Sequence, residues 1–482
     1  MGEVLLYYRR PDPTTWVYLS SFLTIGLFFV FPRVWSVRNF DLVLLILLAP
    51  GVLMVHKSYL PRSTEGDFSA NSPSAFGEVV GEEVVGEGVA GENAPSVEAD
   101  SSASPVAKSG PELRRARPGI QRAGYMYLFA VEGLLLLRLL LDPLMVRRPK
   151  LDPNLTTGGL TFIGISLFIF MMANVVNSSP QRAMSQGPAL GPGYPLLTML
   201  PGIPTRPESG SATENVESVP LVILAKGLAI AAHLAIVCGI VLIGNKHFGN
   251  VRAGVGVALL YLLVPYTAQM TGRVDHALPA ALLLWAVLFY RRPMISGAFL
   301  GLAAGLVYYP LFLLPLWISF YWRRGLTPFL TSVCAMLVTL TVLLALDPRG
   351  GTLVEHIQQM FGILSPLREA SELQGFWALG FNPIWRLPVI VAFLIVSGLF
   401  AVWPSQKNLG TLIAGTAAIM VASQFWHGES GGLYLGWFLP MLLLAIFRPN
   451  LQDRVALKVV KAPLKTRSED EAPVHQGGLA SA

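Results

Sequence analysis

The chain has 482 residues, of which 53% are hydrophobic and only 13% charged, with a formal net charge of +6. Soluble domains carry roughly 25% charged residues, so a water-facing surface cannot be covered here. The mean hydropathy of +0.55 places most of the chain against lipid or against neighbours that face it. The positive charge does not point to nucleic acid, because the basic residues stand mainly in pairs beside apolar runs, as the positive-inside rule requires.

The first apolar run, Trp16 to Phe31, is too long for a cleavable signal peptide, and no small-residue cleavage site follows it. With a second run at 40–56 it makes residues 1–62 a two-span segment. Residues 63–118 are rich in Glu, Gly and Ser, with few large apolar side chains to offset ordering entropy, and read as a disordered acidic linker. Residues 119–177 carry two further spans, 123–143 and 159–177. The Pro/Gly-rich outer loop 178–218 is expected to be irregular, with residues 194–199 touching the membrane surface at most.

Residues 219–448 form the largest unit, with apolar runs at 219–244, 252–271, 275–290, 294–321, 327–346, 387–404, 409–426 and 432–447. An outer loop, 347–386, interrupts it; Val354, Ile357 and Phe361 there suggest a short amphipathic helix on the membrane. The tail 449–482 reads as disordered and cytoplasmic.

A spanning helix needs about 20 apolar residues, and backbone groups in lipid must be satisfied within the segment. The expected fold is therefore an all-α polytopic transmembrane bundle of about 11–13 spans. These runs do not alternate as barrel strands would. The run 294–321 is too long for one helix: it would reach about 42 Å against a core of about 30 Å. It contains Pro310 and Pro315 and lies between Arg291-Arg292 and Arg323-Arg324. Keeping both pairs on one side requires a hairpin that turns near Val307-Tyr308-Tyr309-Pro310. With that turn, Lys246, Arg252, both Arg pairs, Lys407 and the tail fall inside. Counting back places Arg147-Arg148-Lys150 inside but leaves Arg114-Arg115-Arg117 and Arg122 outside.

Ionisable residues at membrane depth are costly and mark candidate sites. The best cluster is Gly272-Arg273-Val274-Asp275-His276, at the outer mouth of a short helix. Asp275 there has the chemistry of a general base, and Arg273 has the donor fork that binds phosphate. The alternative is an Arg–Asp pair at a helix start, with Asp275 as N-cap. A second outer cluster is Trp426-His427-Gly428-Glu429 with Tyr434, and Tyr308 and Tyr309 stand at the hairpin turn. Each suits contact with a sugar or lipid phosphate, or equally an interfacial aromatic belt. His233 and Lys226, inside a span, fit a contact between helices or a snorkelling end better than a relay. The two cysteines, Cys238 and Cys334, lie in apolar segments, which argues against a disulfide framework. No metal motif is present, although a divalent metal is left open as a cofactor.

Residues 261–325 resemble the C-type (GT-C fold) integral-membrane glycosyltransferases that use polyprenyl-phosphate sugars. The likeness runs through Tyr261-Leu262-Leu263-Val264-Pro265, Gly272-Arg273-Val274-Asp275 and Tyr290-Arg291-Arg292-Pro293. It continues in the glycine-rich stretch Ile295 to Leu306 and the returning Tyr309-Pro310 to Pro315, and extends loosely over 219–447 to Tyr434 and Leu439-Pro440. Relatives commonly carry a lysine just before the outer turn, where this chain has Val307-Tyr308. They also place an acid in the first outer loop, for which Asp41, Asp142 and Asp152 are the candidates here.

The resemblance implies transfer of a sugar from a polyprenyl-phosphate donor to an acceptor hydroxyl on the non-cytoplasmic side of the cell membrane. Asp275 or one of those acids would be the base. Arg273, His276, Tyr308, Tyr309, His427, Glu429 and Tyr434 would contact substrate. The expected partners are membrane lipid and the lipid-linked donor, with no nucleic acid. The competing classes are a non-catalytic membrane scaffold and a transporter of lipid or a small solute.

Overall fold

The computed structural model describes residues 12–58, 118–145, 153–178, 181–185, 190–205, 219–345 and 373–449, with 181–185 as backbone only. The linker expected at 63–118, the tail from 450, Asp152 and most of the loop 347–386 lie outside the described residues.

The described chain is an all-α polytopic bundle. Its first helices are α1 (Pro13–Phe28), α2 (Val37–Ser58), α3 (Pro118–Leu140) and α4 (Thr157–Asn177). A short α5 (Tyr194–Thr198) precedes α6 (Val219–Lys246), α7 (Val251–Leu263), α8 (Pro265–Gln269) and α9 (Val274–Leu288). Then come α10 (Pro293–Leu306), α11 (Leu314–Tyr321), α12 (Leu326–Ala345), α13 (Arg386–Val402), α14 (Leu409–Gln424) and α15 (Leu439–Phe447). The one described strand pair is β1 (Gln181–Ser185) against β2 (Pro201–Gly202), antiparallel. Among the described residues, six stretches are long and apolar enough to cross a membrane: those built on α2, α3, α4, α6, α12 and α13. The shorter apolar helices α7, α9, α10 and α14 pack among them.

Successive long helices alternate in direction, so the molecule has two ends. At one end Phe28 meets Phe447 edge to face. There also Arg252 donates to the Pro153 carbonyl at 2.7 Å, and the His247 Nε2 lies 2.9 Å from the Leu288 carbonyl. Lys246, Arg291-Arg292, Arg323-Arg324, Lys407 and Arg448 all belong to this basic end.

The run 294–321 is a hairpin, as its flanking arginines require. The α10 helix stops at Leu306, a 3₁₀ turn follows at Tyr309–Leu313, and α11 returns. The Tyr321 hydroxyl donates to the Tyr290 carbonyl at 2.6 Å, which ties the end of α11 to the start of α10. Both Arg pairs therefore share one end. Helix α12 then runs parallel to α10: a Cβ on Gly297 would lie 2.4 Å from the Phe329 carbonyl oxygen, and one on Gly301 2.8 Å from that of Val333. Small residues at four-residue spacing let the two backbones touch.

The lengths of α9 and α10 set the depth of the other end. Fourteen or fifteen residues rise about 21–22 Å, short of a core of about 30 Å. Both helices have one end at the basic face, so Asp275 and the Val307-Tyr308 break stop at a common level, short of the reach of the longest helices. Irregular backbone at that depth must find partners in protein. Residues 190–193 supply them: Tyr308 donates its N–H to the Leu190 carbonyl at 2.7 Å, and Gly193 to that of Gly305 at 2.7 Å. Residues 190–205 of the outer loop pack against the bundle at Leu190 and Ile203, each 1% exposed, because the broken helix needs their backbone groups, while Leu196 and Met199 stay exposed as surface contacts would.

Candidate functional site

Asp275 lies in the first turn of α9, where a helix start favours a carboxylate. Arg273, two residues earlier, closes on it through both nitrogens of its fork, Nε to Oδ1 at 2.9 Å and Nη2 to Oδ2 at 2.8 Å. The His276 Nε2 stands 3.5 Å from the Asp275 Oδ2. The Nδ1 of the same ring bonds the Tyr266 hydroxyl of α8. One carboxylate thus faces a guanidinium on one side and an imidazole backed by a phenol on the other.

From His276 a chain of rings crosses the end of the bundle. His276 lies 4.6 Å from Tyr434, Tyr434 4.7 Å from His427, and His427 4.8 Å from Tyr309. Tyr309 in turn stacks on Tyr308 at 4.5 Å. Trp437 closes the strip, 4.3 Å from Tyr434 and 5.5 Å from Tyr309. These rings come from α8, α9, the hairpin turn and the loop between α14 and α15. Every one is nearly or fully buried, which removes the aromatic-belt reading for Tyr308, Tyr309, Trp426 and Tyr434: belt rings sit at the lipid–water boundary.

The loop 425–438 presents its rings because it is tied from within. The Gln424 carboxamide oxygen accepts from the backbone N–H groups of Gly432 at 3.2 Å and Tyr434 at 3.3 Å. Gly432 turns with φ +86°, and a side chain there would run into Phe129, so glycine serves both the turn and the packing. His427 accepts the Glu429 N–H on Nδ1 at 3.0 Å, so its neutral form carries the proton on Nε2. Among the described residues no hydrogen-bond partner lies on that Nε2.

The fully buried Arg386, at the start of α13, donates to the Trp426 carbonyl at 3.0 Å beneath the same ring. Burial, reinforced by Arg386 and His276, pushes the His427 imidazole down to about 3. Arg273 and Glu429 keep part of their surface exposed.

No family model, curated protein or solved structure matches this chain. What the cluster can do therefore rests on its own geometry.

The structure brings together Arg273, Asp275, His276, Tyr308, Tyr309, His427, Glu429 and Tyr434. It does not bring Asp41 or Asp142 to them. Those two acids sit at the basic end, about 20 Å from Asp275 along α9. Arg138 bonds Asp41 through Nε at 2.7 Å and Asp142 through Nη1 at 2.9 Å, and Arg448 pairs with the other Asp142 oxygen. Both were expected as alternative bases, and both are corrected here: their oxygens neutralise buried arginines at the wrong end. Asp152 lies outside the described residues. Among the described residues no group of three His, Cys, Asp or Glu side chains could hold a metal ion.

His233 and Lys226 fill the roles their positions suggest. His233 bridges Tyr261 at 2.8 Å and the Thr271 carbonyl at 3.2 Å, and Lys226 reaches the Val176 carbonyl at 2.6 Å. Sequence reasoning missed Tyr266, Arg386, Gln424 and Trp437, which carry no spacing signal. It also missed Glu132, fully buried in α3, with no hydrogen-bond partner on either oxygen among the described residues. A lone acid inside the apolar run 123–143 was the available sign.

Proposed function

We propose that the protein is a multi-pass membrane glycosyltransferase that moves a sugar from a polyprenyl-phosphate donor to an acceptor hydroxyl. The site is the end bearing Arg273 and Asp275, on the non-cytoplasmic side, with the basic end and the C-terminal tail in the cytoplasm. One observation carries the reading: a guanidinium, a carboxylate and a strip of stacked rings from distant parts of the chain meet at one depth, below the end of the bundle.

Each part has a role in this reaction. Arg273 is half of a bidentate pair, and a donor phosphate competes for the same fork of donors. Its arrival draws Arg273 away and frees Asp275. The acceptor hydroxyl then attacks the anomeric carbon from the face opposite the phosphate, and its proton passes to Asp275. The bond from carbon to phosphate oxygen breaks, and polyprenyl phosphate leaves with its added charge held by Arg273. The configuration at carbon inverts. His276, held by Tyr266, fixes the carboxylate from the other side. Tyr434 and Tyr309 hold the His427 ring between them and so shape the wall beside the carboxylate.

The test uses membranes containing the chain, supplied with polyprenyl-phosphate hexoses and pentoses. Transfer above membranes lacking the chain is expected, and Asp275→Asn lowers it by about 100-fold or more, the range for a lost general base, while the solubilised variant still unfolds cooperatively. Wild-type transfer by Asp275→Asn would remove Asp275 from the mechanism. No transfer from any donor would sink the transferase reading.

A specific observation favours a second reading, a non-catalytic scaffold. Both Asp275 oxygens are already engaged by Arg273, and the rings beside them are buried, so the pair is complete without substrate. In that case Asp275→Asn changes stability and leaves no transfer to lose.

A further inference from the structure

The hairpin creates a cavity at the basic end, the end opposite Asp275. It is a hollow open to its surroundings, lined by Tyr290, Arg291, Pro293, Phe320, Tyr321, Arg324 and Leu409. The return of α11 forms it: Tyr321 is bonded to the Tyr290 carbonyl, and Gly325 lies against Pro293. Arg291 and Arg324, distant in sequence, thereby reach the rim of one hollow.

We infer that this cavity binds a phosphate-bearing lipid headgroup, held between the guanidinium groups of Arg291 and Arg324.

The lining has the right chemistry. No carboxylate takes part in it, and among the described residues neither arginine forms an ion pair. Arg291 keeps only a neutral partner: its Nε donates to the Tyr290 hydroxyl at 3.1 Å, with the guanidinium 5.7 Å from the ring centroid. That contact orients the guanidinium without neutralising it. The surroundings are positive as well, since Arg291 and Lys246 add to burial in pushing the nearby His247 imidazole down. Phe320, Pro293 and Leu409 give the hollow an apolar wall beside its charged rim. Guanidinium pairs bind phosphate oxygens with directional, charge-assisted hydrogen bonds, and basic pockets between transmembrane helices hold lipid headgroups. A lone Arg pair fixing orientation needs no cavity, whereas this pair borders a hollow with an apolar wall. The inference does not depend on sugar transfer at the other end.

Binding is measured on the detergent-solubilised full chain with three probes: dioctanoyl phosphatidylglycerol, dioctanoylglycerol without phosphate, and inorganic phosphate. Phosphatidylglycerol is expected to bind saturably and raise Tm, and dioctanoylglycerol to do neither. In Arg291→Gln/Arg324→Gln the affinity falls about 10-fold or more, as loss of charge-assisted bonds implies. Both side chains are exposed, so the unliganded variant should unfold at the wild-type Tm. Arg292→Gln/Arg323→Gln removes the same charge from residues that do not line the cavity and should leave the affinity within about 2-fold, as expected of arginines with no fork directed at the ligand. If inorganic phosphate displaces the lipid at similar concentration, the phosphate site stands and its occupant is a soluble phosphate compound. Equal losses in the two double variants would mean diffuse attraction and overturn the site, as would binding of dioctanoylglycerol as tightly as of phosphatidylglycerol.

Discussion

The Trp437 indole N–H donates to the carbonyl oxygen of Asp275 at 2.9 Å. In an unbroken helix that oxygen would accept the N–H of the residue four further on, which is Pro279 and has none. The proline thus opens a place for Trp437 and locks the ring strip to the turn that carries the carboxylate. Replacing Trp437 by Phe keeps the ring and strands a buried carbonyl, a cost of about 1–3 kcal/mol. Pro279→Ala returns a backbone donor to the same oxygen. The double variant is expected to lose less stability than the two single losses added, by at least about 0.5 kcal/mol in a double-mutant cycle. Strict additivity in chemical unfolding would show that the two residues do not share the oxygen.

Acid should weaken the native state through His427. The folded protein holds this imidazole neutral down to about pH 3, whereas the unfolded chain takes up the proton near pH 6.5. The unfolded state therefore binds more protons across that interval, and stability falls as pH drops from 6.5 towards 3. At pH 5 the loss is about 2 kcal/mol. His427→Gln, whose amide oxygen can still accept the Glu429 N–H, should show a flatter fall in Tm between pH 7.5 and 5. An unchanged slope would assign the acid sensitivity to other groups.

The cluster of Asp41, Arg138, Asp142 and Arg448 is expected to act on stability alone. Arg138→Met removes the guanidinium that bonds both buried carboxylates, and should cost about 3–5 kcal/mol. Asp142→Asn should cost stability in the same direction while leaving any transfer activity per folded molecule unchanged. A specific loss of activity at full stability would reopen these acids as catalytic groups.

Those two aspartates also show where a linear reading runs out. Arg138 and Asp41 are 97 residues apart and Arg448 and Asp142 are 306 apart, so no local spacing announces the pairs. The hairpin was legible for a physical reason: prolines inside an over-long apolar run, with a basic pair at each end, leave few other foldings. The meeting of Asp275 with His427, Tyr434 and Tyr309 was legible only in part. Each stood at an expected outer turn, but their stacking depends on Gln424 and Gly432 shaping a loop, and on Arg386 beneath it. The packing of Leu190 and Ile203 was not legible, because the Pro- and Gly-rich composition of 190–205 says nothing of what it covers. That packing is set by the unpaired backbone of a helix more than a hundred residues away. Two tyrosines at a proline turn also read naturally as an interfacial belt, since composition says nothing of depth.

Glu132 offers a test of the transporter class. Its two oxygens are buried in α3 without a hydrogen-bond partner among the described residues, an arrangement that costs about 1–3 kcal/mol. If the residue has no task, Glu132→Met should raise stability by about that amount. A transporter would instead show solute uptake into vesicles that Glu132→Met abolishes. Destabilisation by this substitution would mean that the carboxyl has a partner in the native state.

The glycine stripe of α10 gives a graded prediction, because the atoms facing each position differ in how far they can move. A methyl on Gly297 would lie 2.4 Å from the Phe329 carbonyl oxygen, and one on Gly301 2.8 Å from that of Val333. Backbone cannot yield without moving α12, so each alanine should cost about 1–3 kcal/mol, the usual penalty of overpacking. At Gly305 the nearest atom is the tip of Leu340, 2.1 Å away, and a side-chain tip can rotate aside. A methyl added to Gly398, in α13, would meet nothing within 4 Å, so alanine there should gain about 0.5–1 kcal/mol from helix propensity alone. The expected order of Tm is Gly398→Ala above wild type, then Gly305→Ala, with Gly301→Ala and Gly297→Ala lowest. If Gly297→Ala proved as stable as Gly398→Ala, α10 and α12 would not touch along this stripe, and the hairpin that positions Tyr308 and Tyr309 would need another support.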